Sequence, residues 1–183
     1  MATGLIYDDR FLDHDTGPAH PERPDRLRAI VDKLKAAHVW DALVPLTVEQ
    51  VDLRWVHAIH SKQYIDRLEH ACEHGENYID DGDCPICPNS YHIARLAAGG
   101  VLNAVDAVIE GDVQNAFCAV RPPGHHAEHD RAMGFCLLAN VAIAANYAIE
   151  HHKLSRVAVV DFDVHHGNGT QHLFEHRRDL LFI

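Results

Sequence analysis

The run Val157-Ala158-Val159-Val160 and the residues after it constrain the fold most. Four apolar residues, three of them β-branched, make a strand with no polar face. Such a strand is buried on both faces and belongs to a parallel sheet flanked by helices. The run breaks directly into Asp161-Phe162-Asp163-Val164-His165-His166-Gly167-Asn168-Gly169-Thr170. Ligands of open α/β sheets bind beyond the carboxyl ends of the strands. Asp163 and His165 are two residues apart, so on an extended chain both leave the same face. A carboxylate and an imidazole converging there supply two of the three protein ligands of a catalytic zinc site. Asp161 has the same parity and lies behind them as an acceptor, and Gly167 and Gly169 let the chain turn beside the site.

Similar runs recur along the chain. Strands are expected near residues 3–7, 115–120, 157–162 and 180–183. Amphipathic patterns predict helices over 25–40, 61–74, 90–110, 138–151 and 170–176. Leu27, Ile30, Val31 and Leu34 form one stripe; Tyr64, Ile65 and Leu68 form another, between Ser61 as N-cap and Gly75 as stop. Gly99-Gly100 inside the third helix costs stability, and its benefit is close approach to another element. Alternating strands and helices predict a single α/β domain over residues 1–183, built on one parallel sheet. The last strand ends at Ile183 with no helix after it, so the chain is expected to be cut short, with an open apolar edge and a tendency to form homo-oligomers.

Composition removes whole classes of function. At 47% hydrophobic and 23% charged residues, the chain has the balance of a globular domain. The net charge of −11 argues against direct nucleic-acid binding. No run of 18 apolar residues predicts a membrane span, and Met1 to Asp8 lacks the basic start of a signal peptide. Five cysteines, an odd number without framework spacing, suit a reducing cytoplasm. Cys84-Pro85-Ile86-Cys87 stands alone as a CxxC and reads as a loop with two half-buried thiols. Of the 17 histidines, isolated ones such as His38, His57, His70, His74, His92, His151 and His152 read as surface or satisfied-core residues.

The second apolar run leads into Arg121-Pro122-Pro123-Gly124-His125-His126-Ala127-Glu128. Adjacent histidines in a stiff loop suit a division of labour, one holding a proton as acid and one removing a proton from water. Each imidazole needs an acceptor to fix its tautomer, and Asp161 and Asn168 are available. Together with Gly134-Phe135-Cys136 and His20-Pro21-Glu22-Arg23-Pro24-Asp25-Arg26, these motifs resemble those of the histone deacetylase superfamily. The His-His-Gly-Asn-Gly-Thr form at 165–170 resembles its class II and bacterial branch.

The resemblance spans essentially the whole chain and about half of a typical catalytic domain. It implies a three-layer α/β/α, arginase-like fold, a catalytic Zn2+, and hydrolysis of the acetyl amide of acetyl-lysine. It implies Asp163 and His165 as zinc ligands, and His125 and His126 as the catalytic histidines, with His126 the general base. Asp161 and Asn168 would be their respective partners. Gly134 and Phe135 would line the acyl-lysine tunnel, and Arg26 the internal channel below the zinc. Asp83 resembles the rim aspartate that grips substrate backbone, with Asp81 the alternative. The family's third zinc ligand, in a later Gly-Phe-Asp motif, and its later tyrosine or histidine donor have no counterpart within these 183 residues. Two other readings stand beside this one: a non-catalytic relative that binds acyl-lysine or a partner, and a deacetylase of acetylated polyamines. The acidic stretch Asp80 to Asp83 suits either a cationic amine or a basic peptide.

Overall fold

The structure, a computed structural model, describes residues 2–183. The first strand, β1 (Thr3–Ile6), leads through a 3-10 helix (Asp9–Asp13) and a loop to helix α1 (Asp25–Ala36). Strand β2 (Leu43–Pro45) follows, then the short α2 (Leu53–His57), α3 (Lys62–Glu73) and the long α4 (Ser90–Ile109). The remaining elements are β3 (Asn115–Cys118), α5 (Asn140–Glu150), β4 (Val157–Val159), α6 (Asn168–Phe174) and β5 (Leu180–Phe182).

Local chemistry sets the helix ends. Ser61 caps α3 by accepting from the Tyr64 backbone N–H at 3.2 Å. Gly75 follows its last turn at φ 69°, the left-handed conformation that ends many helices. Asp25 occupies the first turn of α1 without a capping bond, and the helix stops at Ala36, short of the expected Trp40.

Every strand pairing is parallel, but the strands form two ladders. One has the order β2-β1-β3 and the other pairs β4 with β5. The single sheet expected from the sequence is therefore corrected. Alternation of strands and helices dictates direction, not which edges meet. The expectation that residues 157–160 are buried on both faces is also corrected. Val157 and Val159 are half-buried toward α5, while Val160 is 64% exposed. Leu181 and Ile183 expose 55% and 65% of their surface along the same ladder.

Helix α4 organises the interior. Ala94, Ala98 and Leu102 enter one core with α3, α5 and the 127–139 loop. Ile93, Leu96, Ala97 and Ala104 enter a second with Ile6, Phe11 and Leu27. Its length and apolar composition are enough to cross a membrane, and burial between these two cores accounts for that composition. The Gly99-Gly100 pair has the expected reason. A Cβ on Gly99 would lie 2.0 Å from the Glu49 carbonyl oxygen, and one on Gly100 2.7 Å from Ile6 Cγ2.

Candidate active site

The site lies where the loops leaving β1, β3 and β4 meet. Its cleft, about 430 Å3, is lined by Glu22, Arg26, Asp83, His125, His126, Gly134, Phe135, Asp163 and His165, among others. Asp161 and Asn168 stand behind this lining. Asp81 is not part of it, and Asp80 is committed elsewhere, pairing with Arg67 at 2.9 Å and accepting from the Ala132 N–H at 2.7 Å.

The floor is an ion pair between two motifs far apart in the chain. Arg121 is fully buried and donates to Glu22 twice, Nε to Oε1 at 2.6 Å and Nη2 to Oε2 at 2.8 Å. It also donates to the carbonyls of Phe11 and His14 at 3.0 and 2.9 Å. The bidentate geometry and extra acceptors compensate a charge pair that burial would otherwise penalise. His14 packs beside it, its Nδ1 2.8 Å from Ser90 Oγ, and burial lowers its pKa to about 4. Arg26 is 55% exposed at the side chain and reaches Glu22 at 3.5 Å. The buried arginine is thus Arg121, whose role has no local sequence signal because its partner is 99 residues away.

The histidine loop rests on this floor. Asn140 Nδ2 donates to the Pro122 carbonyl at 3.1 Å, and a Cβ on Gly124 would clash with Leu138 O at 2.7 Å. The His125 and His126 rings lie 4.0 Å apart. His125 Nδ1 is 2.8 Å from Asp161 Oδ2, and His126 Nδ1 is 2.6 Å from Asn168 Oδ1. Both acceptors put the proton on Nδ1 and leave Nε2 as the lone-pair nitrogen. Gly134, at φ 55°, packs against the His126 ring so closely that a Cβ would lie 2.3 Å from Cδ2. Phe135 meets His20 edge-to-face at 4.6 Å.

Asp163 and His165 reach the cleft by a route other than an extended strand. The strand ends at Val159, and two consecutive turns follow. The Asp163 N–H donates to Asp161 Oδ1 at 3.1 Å, and the His165 N–H to Asp163 Oδ1 at 2.8 Å. Aspartates favour such turns because the carboxylate mimics a backbone acceptor. The odd-numbered residues still face one side, and Phe162 and Val164 are 97% and 93% exposed on the other. His165 Nδ1 lies 3.0 Å from Asp163 Oδ1. These bonds hold the Asp163 carboxyl below its usual range, with the backbone bond from His165 the largest cause. The His126 and His165 ring centroids are 6.1 Å apart.

A carboxylate oxygen and an imidazole nitrogen are donors that zinc accepts, so Asp163 and His165 fit that metal as two of its ligands. A further group of donor atoms, from Asp106, His151 and His152, lies within 4.8 Å of one another but shares no residue with the cleft. There the 2.6 Å contact between His152 Nε2 and Asp106 ties the turn after α5 to α4. The thiols of Cys84 and Cys87 are free, and burial pushes Cys84 up to about 12, which disfavours a thiolate ligand.

Comparisons with known proteins give the family and the fold. Residues 20–183 match the family described as the histone deacetylase domain. An uncharacterised protein of Synechocystis, slr0245, is 43% identical over 97% of this chain and 59% of its own length. A histone deacetylase-like amidohydrolase of Pseudomonas aeruginosa is 39% identical over 99% of this chain and 52% of its own. The crystal structure of the HDA15 HD domain superposes with a TM-score of 0.93 at 37% identity, covering 99% of this chain and 52% of that one. The chain therefore spans about half the length of these relatives. By the family match and the shared α/β fold, the chain belongs to the histone deacetylase family.

Proposed function

We propose that this chain contributes the proton-handling groups and two metal ligands of a zinc-dependent hydrolase that removes acetyl groups from acetylated amines. One observation carries the reading: two adjacent imidazoles, each with Nδ1 committed to an acceptor, line a cleft together with Asp163 and His165. Asp163 and His165 would hold zinc, which when bound supplies Lewis-acid polarisation of the acyl oxygen and acidifies water. His126, through Nε2, takes the proton of the attacking water. His126 then gives that proton to the departing amine, while His125, its Nδ1–H held by the Asp161 carboxylate, steadies the charge that develops beside it. Phe135 and Gly134 wall the acyl chain, and Asp83 at the rim holds the rest of the substrate. Arg26 flanks the cleft beside the Glu22 carboxylate and borders a channel for the released acetate.

Substrates of this class include acetyl-lysine in a protein and small acetylated amines. A relative 38% identical over the whole of this chain and 29% of its own length, from Homo sapiens, is described as a polyamine deacetylase, HDAC10. The acidic rim around Asp83 supports a cationic substrate of either size. We place the protein in the cytoplasm, supported by its five free cysteines. A second reading is binding of acyl-lysine without turnover, with the acyl chain held in the same cleft.

Acetate release from an acetyl-lysine peptide and from an acetylated diamine, measured with zinc present, separates the readings. Hydrolysis that disappears in His126→Ala supports the first. Peptide binding with no acetate released supports the second, and neither binding nor release contradicts both.

A further inference from the structure

We infer that Glu128 is a positioning residue for His126: it selects the orientation of the Asn168 amide, and so decides which ring nitrogen of His126 carries the proton. The inference rests on His126 acting as the base. It starts from an asymmetry between the two histidines. The partner of His125 is a carboxylate, which only accepts hydrogen bonds, so Asp161 fixes Nδ1–H unaided. The partner of His126 is an amide, whose oxygen and nitrogen ends are nearly the same shape. Flipped, Asn168 would donate through Nδ2 to His126 Nδ1. The proton of the neutral ring would then sit on Nε2, and the lone pair needed to accept a proton from water would be lost.

Glu128 prevents the flip. It follows His126 by two residues, and its side chain is 14% exposed. Its backbone is held at both ends. The N–H donates to Arg131 O at 3.0 Å, and the carbonyl accepts from the buried His60 at 2.8 Å. The Glu128 Oε1 accepts from Asn168 Nδ2 at 2.5 Å. Its two oxygens also lie 2.9 and 3.0 Å from His172 Nδ1. Asn168 and His172 are four apart on α6 and share a face, so one carboxylate grips both. The remaining neighbour of Asn168 Nδ2 is Met133 Sδ at 3.4 Å, a weak acceptor. Every group facing Nδ2 therefore accepts. A flip would set the amide oxygen against an ionised carboxylate that has no hydrogen to give. One orientation remains, with Oδ1 on His126 at 2.6 Å.

The test reads the tautomer of His126 by nitrogen NMR on the metal-free, 15N-histidine-labelled chain, with the signal assigned by its loss in His126→Ala. The intact protein is expected to show Nδ1–H as the single neutral tautomer. Glu128→Ala should bring that form below about half, because the amide then samples both orientations. Glu128→Gln keeps the size but gains an NH2 donor end that can pair with a flipped Asn168 oxygen, so it should also lower Nδ1–H. Adding Asn168→Asp to Glu128→Ala should restore it, since a carboxylate has no donor end to present. A purely structural role for Glu128 predicts lower stability in Glu128→Ala with the tautomer unchanged. That result, or a double variant that fails to restore Nδ1–H, overturns the inference. If Glu128→Ala does not fold, Glu128→Gln carries the test, and a single unchanged Nδ1–H tautomer there overturns it equally. Acetate release by His126→Ala tests the base reading separately: a tautomer set by Glu128 beside an undiminished turnover would refute the base and leave the positioning intact.

Discussion

The side chains of His125 and Asp161 are 19% and 18% exposed, whereas those of His165 and Asp163 are 72% and 49% exposed. His125, Asp163 and His165 line one cleft with Asp161 behind it, but the bonds of the two pairs differ in kind. His125 and His126 are tied to acceptors 36 and 42 residues away, on a loop pinned to the buried Arg121–Glu22 pair. Asp163 and His165 are bonded only to residues two apart. Long-range bonds fix a group relative to the whole fold, whereas local bonds fix only the shape of its own turn. The histidine pair is therefore fixed by the fold itself, and on the proposed reading Asp163 and His165 are left to be organised by what binds them.

Substitutions test this contrast, and the largest effect belongs to His126. In protein that turns over substrate, His126→Ala should lower kcat about 10²- to 10⁴-fold while zinc stays bound. Asp163→Ala should lose both zinc and turnover. Loss of zinc in His126→Ala would break the division between the two pairs. Next comes the floor. Arg121→Ala leaves the Glu22 carboxylate buried without its partner and should cost about 3–5 kcal/mol by denaturant titration.

Acid should weaken the prepared half. Burial, the leading cause in each case, lowers both His14 and His60 from 6.5 to about 4. Between those values the unfolded chain binds more protons than the folded one. The stabilisation is therefore complete above about pH 6.5, falls as pH drops toward 4, and is gone below it. Each shift is worth on the order of 3 kcal/mol, and melting temperature against pH should trace that slope. Gly134→Ala would drive the His126 ring sideways by its Cβ contact and should cut turnover about 10²-fold with little change in zinc affinity. The smallest effect is expected on the loose side. His165→Ala removes an exposed group and should change stability by less than about 0.5 kcal/mol in the absence of metal.

Much of this was legible in the sequence, for reasons that particular residues show. Ser61, Gly75 and the helical stripes act through neighbours within a turn, so α3 and α4 lie close to where they were expected. The close approach at Gly99-Gly100 follows from a cost that needed a benefit. The pairing of His125 with Asp161, and of His126 with Asn168, is the one the resemblance implied. Strand β2 escaped notice because Leu43–Pro45 is short, contains proline and is mostly exposed. Parallel direction was readable, but the split into two ladders was not, since edge pairing depends on contacts far apart in the chain. Arg121 with Glu22, and Glu128 with Asn168, were missed for the same reason. Their motifs were visible, but the bond joining them spans 99 and 40 residues.

The contrast between the two pairs is tested most directly by zinc titration of the 15N-histidine-labelled chain, following the imidazole nitrogens of His125, His126 and His165 together. The metal-free protein should show His125 and His126 each as a single Nδ1–H tautomer in a fixed ring position, and His165, bonded only to Asp163 and 72% exposed, as a ring averaged over orientations. Zinc should then shift His165 strongly and leave the tautomers of the other two in place. Averaged signals from His125 and His126 that sharpen into one tautomer only when zinc is added would contradict the account.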